Sequence, residues 1–117
     1  MSEKLGRFQL RVLGAIIEEI QEYQELGWDK EFGWDSVHLY RIQQRLFGSD
    51  REGITYLGGR REVITGEQPT GTASQVASLN RALANLEMRG LIETRGAERF
   101  APTDQGLSEY KSRASTI

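Results

Sequence analysis

Apolar residues recur at helical spacing near the start of the chain, over residues 5–26. The residues at steps of four or three are Phe8, Val12, Ile16, Ile20 and Tyr23. This spacing gathers them on one face of an amphipathic helix, and Leu13 and Ile17 widen the apolar stripe. Gly27 is a natural stop, because glycine readily adopts the left-handed conformation that ends helices. The pattern predicts a long first helix over 5–26.

Aromatic residues are concentrated in the next stretch, 27–35, which reads "GWDKEFGWD" and predicts a connector. Asp35 or Ser36 can then cap a second helix, because their side-chain oxygens accept hydrogen bonds from free helical N–H groups. Gly48 ends this second helix. Its apolar face consists of Leu39, Ile42 and Leu46.

Glycine and β-prone residues mark the following stretch, 49–71. Within it, "ITYL" and "RREVIT" flank Gly58 and Gly59. A two-residue Gly-Gly loop suits the tight turn of a β-hairpin. The pattern predicts a β-hairpin insert, and a mobile loop is the alternative interpretation, since an isolated hairpin is only marginally stable.

A third helix is predicted from about Thr72 to Arg89. Its apolar stripe consists of Val76, Leu79, Leu83 and Leu86, a clear helical period. Thr72 or Ser74 can cap its start, and Gly90 supplies the stop.

The period then changes from helical to strand-like. The strands "LIETR" and "ERFAP" are joined by a turn at Gly96-Ala97, and Pro102 closes the second strand at an edge. Thr103 or Asp104 caps a last short helix, "DQGLSEYKSRA". The order predicts one α+β domain over residues 1–117, mostly α, with a two-stranded β-hairpin after the third helix and a hairpin insert at about 49–71 between helices two and three.

The block 78–106 resembles the winged helix-turn-helix transcriptional regulators. The shared pattern is a helix ending in "L-x-x-L-E-x-x-G-L-I", a hairpin called the wing, an aromatic residue and then "T-x-x-G". The matching residues are Leu83, Leu86, Glu87, Gly90, Leu91, Ile92, Phe100, Thr103 and Gly106. The chain is most similar to the PadR-like regulators, through the tyrosine-bearing helix "HLYRIQQRL", and next to the MarR-like regulators. The sequence departs from the usual pattern of these regulators in two ways. About 23 residues separate helices two and three, and the C-terminal dimerisation helix is short or missing.

The resemblance implies a sequence-specific regulator of transcription that binds double-stranded DNA. The third helix, 72–89, would enter the major groove, and the wing, 91–102, would lie on the backbone or in the minor groove. A homodimer and a small-molecule effector of unknown identity are also implied. A winged-helix module that binds another protein, without DNA, is the alternative.

The predicted third helix supports DNA binding through the side chains opposite its apolar stripe. The candidate contacts on this helix are Thr72, Ser74, Gln75, Ser78, Asn80, Arg81 and Asn85. Small residues such as Ala77 allow close approach to the groove, arginine pairs with guanine, and Asn or Gln pairs with adenine. An ordinary solvated face is the other interpretation of this surface.

Further arginines are candidates for phosphate contacts. Arg95 and Arg99 flank the wing turn, although Glu98 lies between them, and Arg60 and Arg61 follow the Gly-Gly turn of the insert. Basic hairpin tips commonly contact phosphates or enter the minor groove. A solvated loop tip is the alternative for Arg60 and Arg61.

Charge and composition change this picture only moderately. The 117 residues carry a net charge of −2, with residues 1–50 acidic and residues 70–117 slightly basic. An acidic chain is repelled by DNA, so two copies that bind together would hold it better than one. The first helix and the aromatic residues Tyr23, Trp28, Phe32 and Trp34 could form the interface between the copies. The same aromatic residues could instead complete a small core. The absence of a signal-peptide pattern and of an apolar run of roughly 20 residues favours a cytoplasmic protein without a membrane span.

No catalytic motif is visible in the sequence. His38 is the only histidine and there are no cysteines, which excludes thiolate metal sites. There is no phosphate-binding or dinucleotide-binding loop and no metalloprotease motif. We therefore expect neither an enzyme nor a cofactor.

Overall fold

The computed structural model describes residues 5–50, 55–57, 60–62, 68–69 and 71–114. The helices in this part of the chain are α1 (Arg7–Glu25), α2 (Trp28–Phe32), α3 (Leu39–Phe47), α4 (Ala73–Met88) and α5 (Asp104–Ala114). The strands are β1 (Val37–His38), β2 (Ser49–Asp50), β3 (Thr55–Leu57), β4 (Arg60–Glu62), β5 (Gln68–Pro69), β6 (Ile92–Thr94) and β7 (Arg99–Pro102). The architecture is α+β and mostly helical, as the sequence predicts.

The first helix, α1, is the centre of the structure. Val12, Leu13 and Ile16 are fully buried, and α3, α4, α5 and β7 all pack against α1. The apolar stripe of α4 meets this core through Leu79 and Leu86, which are also fully buried. The sequence periods of the two longest helices therefore identify the core correctly.

A three-stranded antiparallel sheet, in the order β1-β7-β6, covers one side of α1. The predicted hairpin after the third helix is confirmed, because β6 pairs with β7 through Thr94 opposite Phe100. The third strand, β1, is not predicted from the sequence. Val37 lies opposite Phe100 and is fully buried, so burial of a β-branched side chain accompanies the extended conformation at this point.

The predicted start of the second helix is wrong. Neither Asp35 nor Ser36 caps it, because the chain is still extended at Val37–His38, and α3 begins at Leu39. His38 is the cap: its Nδ1 atom accepts a hydrogen bond from the Tyr40 backbone N–H at 3.1 Å. The predicted connector 27–35 also contains the five-residue helix α2, enclosed by Gly27 and Gly33, which both have left-handed backbone angles.

The insert contains the predicted hairpin. Strand β3 pairs with β4, with Leu57 opposite Arg60, and β2 pairs with β5 to close the insert at its base. The paired strands are those of the predicted hairpin; Gly58 and Gly59 lie outside the described residues. Strand β5 also packs against α3, so the end of the insert returns to the helical core before α4 begins.

The sequence "TDQG" forms the start of α5 and joins it to the wing. The Thr103 hydroxyl accepts a hydrogen bond from the Gly106 N–H at 3.0 Å and donates one to the Gly90 carbonyl at 2.6 Å. Thr103 is therefore the cap, and Asp104 is already helical. A Cβ atom on Gly106 would lie 2.0 Å from the Leu91 carbonyl oxygen, so only glycine fits here without displacement of the backbone.

A buried carboxylate fixes α3 against α1. Glu19 is completely buried, and its two oxygens accept hydrogen bonds from Arg41 Nε at 2.9 Å and Arg45 Nε at 3.0 Å. Arg45 also pairs with the exposed carboxylates of Glu18 and Glu22. Burial, and then the negative charge of Glu19, raise the pKa of the neighbouring Tyr23.

Gly106→Ala is expected to lower the free energy of unfolding by about 3 kcal/mol, because the added methyl group forces α5 away from Leu91. Helix propensity alone would favour alanine by about 1 kcal/mol, so the sign of the effect is diagnostic. Urea unfolding measures it. The control is Gly6→Ala: a Cβ atom on Gly6 meets nothing within 4 Å, and this change should cost less than about 1 kcal/mol. Equal stabilities of the two variants would contradict the close approach.

Glu19→Gln is expected to destabilise the fold by about 2–3 kcal/mol. Loss of one partner from a buried ion pair costs about 3–5 kcal/mol, and the expected loss is smaller here because the two arginines are partly solvated. The matched control is Glu22→Gln, which removes an exposed partner of the same Arg45 and should cost less than about 1 kcal/mol. Equal losses in urea unfolding would show that Glu19 has no special role.

Candidate nucleic-acid interface

The start of α4 is held by a reciprocal cap. The Thr72 hydroxyl accepts a hydrogen bond from the Gln75 N–H at 3.1 Å, and the Gln75 side-chain oxygen accepts one from the Thr72 N–H at 2.8 Å. Of the two predicted caps, Thr72 is confirmed and Ser74 is wrong, since Ser74 lies within the first turn. Two of the candidate contact residues therefore already serve the helix itself.

The outward face of α4 is polar and carries almost no negative charge. Ser74, Asn80, Arg81 and Asn85 are exposed, and Ser78 is half-buried. Glu87 is the one acidic residue of α4, and its carboxylate accepts a hydrogen bond from the Thr94 hydroxyl of β6 at 2.7 Å. The surface therefore presents hydrogen-bonding groups and the positive charge of Arg81.

The structure places part of this face beside the start of α1. A groove of about 470 Å³ lies between the two helices. From α4 it is lined by Ser78, Arg81, Ala82 and Asn85, and from α1 and its cap by Gly6, Arg7, Phe8 and Gln9. Three predicted residues thus share a groove with Arg7 and Gln9, which the sequence interpretation missed. No local signal could have found these two, because only the packing of α1 on α4 brings them there.

The groove side chains have weak internal partners. Arg81 Nη2 donates to the Ser78 hydroxyl at 3.3 Å, and Arg89 Nε donates to the Asn85 side-chain oxygen at 3.1 Å. Both contacts are exposed hydrogen bonds between neighbours on the same helix. Such contacts can be exchanged for contacts with a ligand at small cost, since each contributes only about 0.5–1.5 kcal/mol.

The wing arginines are turned toward the segment before α3. Arg95 Nη1 contacts Asp35 Oδ2 at 2.7 Å, and Arg95 Nη2 contacts Glu93 Oε1 at 2.7 Å. The hydrogen bond and charge of Glu93, followed by the charge of Asp35, raise the pKa of Arg95. Arg99 is half-buried and donates from Nε to the Ser36 hydroxyl at 3.0 Å.

These contacts change the expected charge distribution. The positive charge of Arg95 is compensated by two carboxylates, and Glu98, at the wing turn with a left-handed φ of 56°, lies 3.7 Å from His38 Nε2. A positive strip that joins α4 to the wing is therefore not formed by Arg95. Arg7 and Arg81, which line the groove, have no carboxylate partner among the described residues.

The remaining candidates, Arg60 and Arg61, belong to strand β4 of the insert. Their backbone positions lie opposite Leu57 and Tyr56. Both follow directly after the Gly-Gly segment, so they are placed at the far end of the paired strands from the base formed by β2 and β5.

The described residues were also searched for membrane-spanning helices and for metal-binding groups. Among the helices described, none has the length and apolar character needed to cross a membrane. The described side chains of His, Asp and Glu also form no group of three that could hold a metal ion. Comparison with protein-family models, curated proteins and solved structures found no match. The functional argument therefore rests on the geometry of this chain.

Thr72→Ala is expected to lower the free energy of unfolding by about 1 kcal/mol, because the Gln75 N–H loses its acceptor. Ser74→Ala, two residues further along in the first turn of α4, should change the free energy of unfolding by less than about 0.5 kcal/mol. Urea unfolding of the two variants provides the comparison. A loss at Ser74 that matches or exceeds the loss at Thr72 would contradict the assignment of the cap.

Proposed function

We propose that this chain is a winged helix-turn-helix regulator of transcription that binds double-stranded DNA at specific sequences. Helix 72–89 would lie in the major groove, and the wing, 91–102, on the backbone or in the minor groove. The observation that carries the proposal is the exposed face of α4, which is polar, lacks acidic residues before Glu87 and is bordered by Arg7 and Arg81.

The order of elements supports this assignment. Strands β6 and β7 follow α4 directly and pair with each other, which is the relation between a reading helix and its wing that the resemblance implies. The pairing of β1 with β7 brings the wing next to the start of α3. The two helices and the wing are thereby joined in one unit around α1, as a rigid DNA-reading element requires.

The dimensions and chemistry of the face suit a major groove. A groove about 12 Å wide admits a helix, and Ser74 and Ala77 are small enough for close approach. Arg81 can donate two hydrogen bonds to guanine, and the amides of Asn80 and Asn85 can pair with adenine. Because the charge-neutral amides outnumber the arginines, specificity would come more from hydrogen bonds than from charge.

The wing would contact DNA only if Arg95 exchanges its partner Asp35 for a phosphate. The Arg95–Asp35 pair is exposed, with 43% and 64% of the two side chains accessible, and such pairs contribute about 0–1 kcal/mol. A DNA phosphate can replace Asp35 at small cost and would bind Arg95 through its planar guanidinium. A homodimer on two half-sites would double the phosphate contacts and offset the net charge of −2.

A protein-binding winged-helix module is the second candidate. The observation that favours it is the compensation of Arg95 by Asp35 and Glu93, which leaves the side chain nearest the wing turn without the free positive charge typical of DNA contacts. Binding of a protein partner through this surface would depend weakly on salt, whereas DNA binding should weaken with a log–log slope of about −0.9 per phosphate contact.

Selection of bound sequences from a random DNA pool, at two salt concentrations, tests DNA binding. On a selected sequence, Arg81→Ala should cost about 1–3 kcal/mol, because a base contact is lost, and specificity should relax at one base pair. Fluorescence anisotropy measures the affinity. The matched control is Arg113→Ala, which removes the same charge from α5, where Arg113 pairs with Glu109.

Two results would count against the proposal. Failure to retain any DNA at the lower salt concentration would favour the protein-binding module. Equal losses for Arg81→Ala and Arg113→Ala would show that Arg81 acts only through its charge and does not read a base.

A further inference from the structure

The groove between the start of α1 and the outward face of α4, called here the α1–α4 groove, has a positively charged lining. Its charged residues are Arg7 on α1 and Arg81 on α4, and both are exposed. The lining contains no carboxylate, and among the described residues no carboxylate pairs with either arginine. The groove therefore attracts an anion.

The amide side chains beside the two arginines present hydrogen-bond donors. The Gln9 side-chain oxygen accepts a hydrogen bond from the Gly6 N–H at 3.3 Å, and the Asn85 side-chain oxygen accepts one from Arg89 Nε at 3.1 Å. In each amide the oxygen is engaged by a neighbour in the chain, which leaves the NH₂ group to donate. A ligand rich in acceptor oxygens is complementary to such a lining.

The position of Arg7 opposes the dipole of α1. Arg7 is the first residue of α1, and the first turn of this helix contains no acidic residue. Because the N–H groups at the start of a helix carry partial positive charge, a cation is unfavourable there. The charge of Arg7 therefore does not stabilise the helix, and we look for its role in the binding of a ligand.

The packing of α1 on α4 determines which part of a DNA duplex the α1–α4 groove would meet. A major groove is about 12 Å wide, so a helix inside it has a phosphate backbone about 6 Å to either side of its axis. The axes of packed helices are about 8–10 Å apart, which places a neighbouring helix at the backbone and away from the bases. Ser78, Arg81 and Asn85 belong both to the proposed reading face and to the α1–α4 groove, so the start of α1 borders that face.

We propose that Arg7 and Gln9 bind a phosphate of the DNA backbone in the α1–α4 groove, while Arg81 reads a base from the same surface. The inference rests on the proposed function and adds α1 to α4 and the wing as a DNA-binding element. Arg7 donates two hydrogen bonds to the phosphate from its guanidinium group, and Gln9 donates one from its amide. This contact fixes the register of α4 on the duplex and carries no sequence information.

Arg7→Gln tests the inference, with fluorescence anisotropy on a selected duplex and on a scrambled one between about 50 and 200 mM salt. Loss of one phosphate contact should make the log–log salt slope less steep by about 0.9. This change corresponds to a loss of affinity of about eightfold at about 100 mM salt. The loss should be the same on both duplexes, because a phosphate contact does not depend on sequence.

Thermal unfolding separates a lost contact from a damaged fold. The melting temperature of Arg7→Gln should equal or exceed that of the wild type, because the change removes a charge that opposes the helix dipole. Arg7→Lys keeps the charge but not the planar guanidinium group. This variant should therefore retain most of the salt slope and lose part of the affinity.

The matched control is Arg11→Gln, which removes the same charge from α1 one turn further along. Arg11 lines a different cleft, with Leu46 and Tyr110, and its Nη2 atom donates to the Leu46 carbonyl at 3.4 Å. The affinity of this variant should stay within about twofold of the wild type, since an exposed charge that does not touch a phosphate is largely screened. The salt slope should not change.

Duplexes in which a single phosphate is replaced by a neutral methylphosphonate locate the contact. At one position the wild type should lose about as much affinity as it loses through Arg7→Gln. The Arg7→Gln protein should lose nothing more at that position, because the two changes remove the same interaction.

The outcomes distinguish this inference from the proposed function. The inference alone is overturned if DNA is bound and Arg7→Gln has the slope of the wild type, if Arg7→Gln and Arg11→Gln change the slope equally, or if no phosphate position is coupled to Arg7. If the wild type retains no DNA even at the lower salt concentration, the proposed function and the inference both fail.

Discussion

The fold depends on a charge that is buried in its centre. Glu19 lies on the face of α1 that is otherwise apolar, and among the described residues the two arginines of α3 compensate it. Because Arg41 and Arg45 are four residues apart, both can reach one carboxylate from a single face of α3, which fixes the rotation of that helix as well as its position. The insert begins directly after α3 and returns to it through β5, so the chain lies beside α3 again shortly before α4 starts.

The sequence predicts those elements whose signals are local. The periods of α1 and α4, the cap at Thr72, the Gly90 stop and the two hairpins all depend on residues close together in the chain. Strand β1 and the His38 cap were missed, because Val37 becomes extended through its pairing with Phe100, more than sixty residues away. The same limit applies to the candidate site: the α4 face follows from helical geometry, whereas the groove with Arg7 and the partners of Arg95 exist only in the packed structure.

Positive charge alone is a poor guide to a binding surface in this protein. Arg95 and Arg99 are the natural candidates from the sequence, yet their guanidinium groups hold the wing to Asp35 and Ser36. Such contacts order the wing before any ligand arrives. Part of the entropy of fixing these two long side chains is then already lost in the free protein, which would lower the cost of a phosphate contact if the proposed DNA binding occurs.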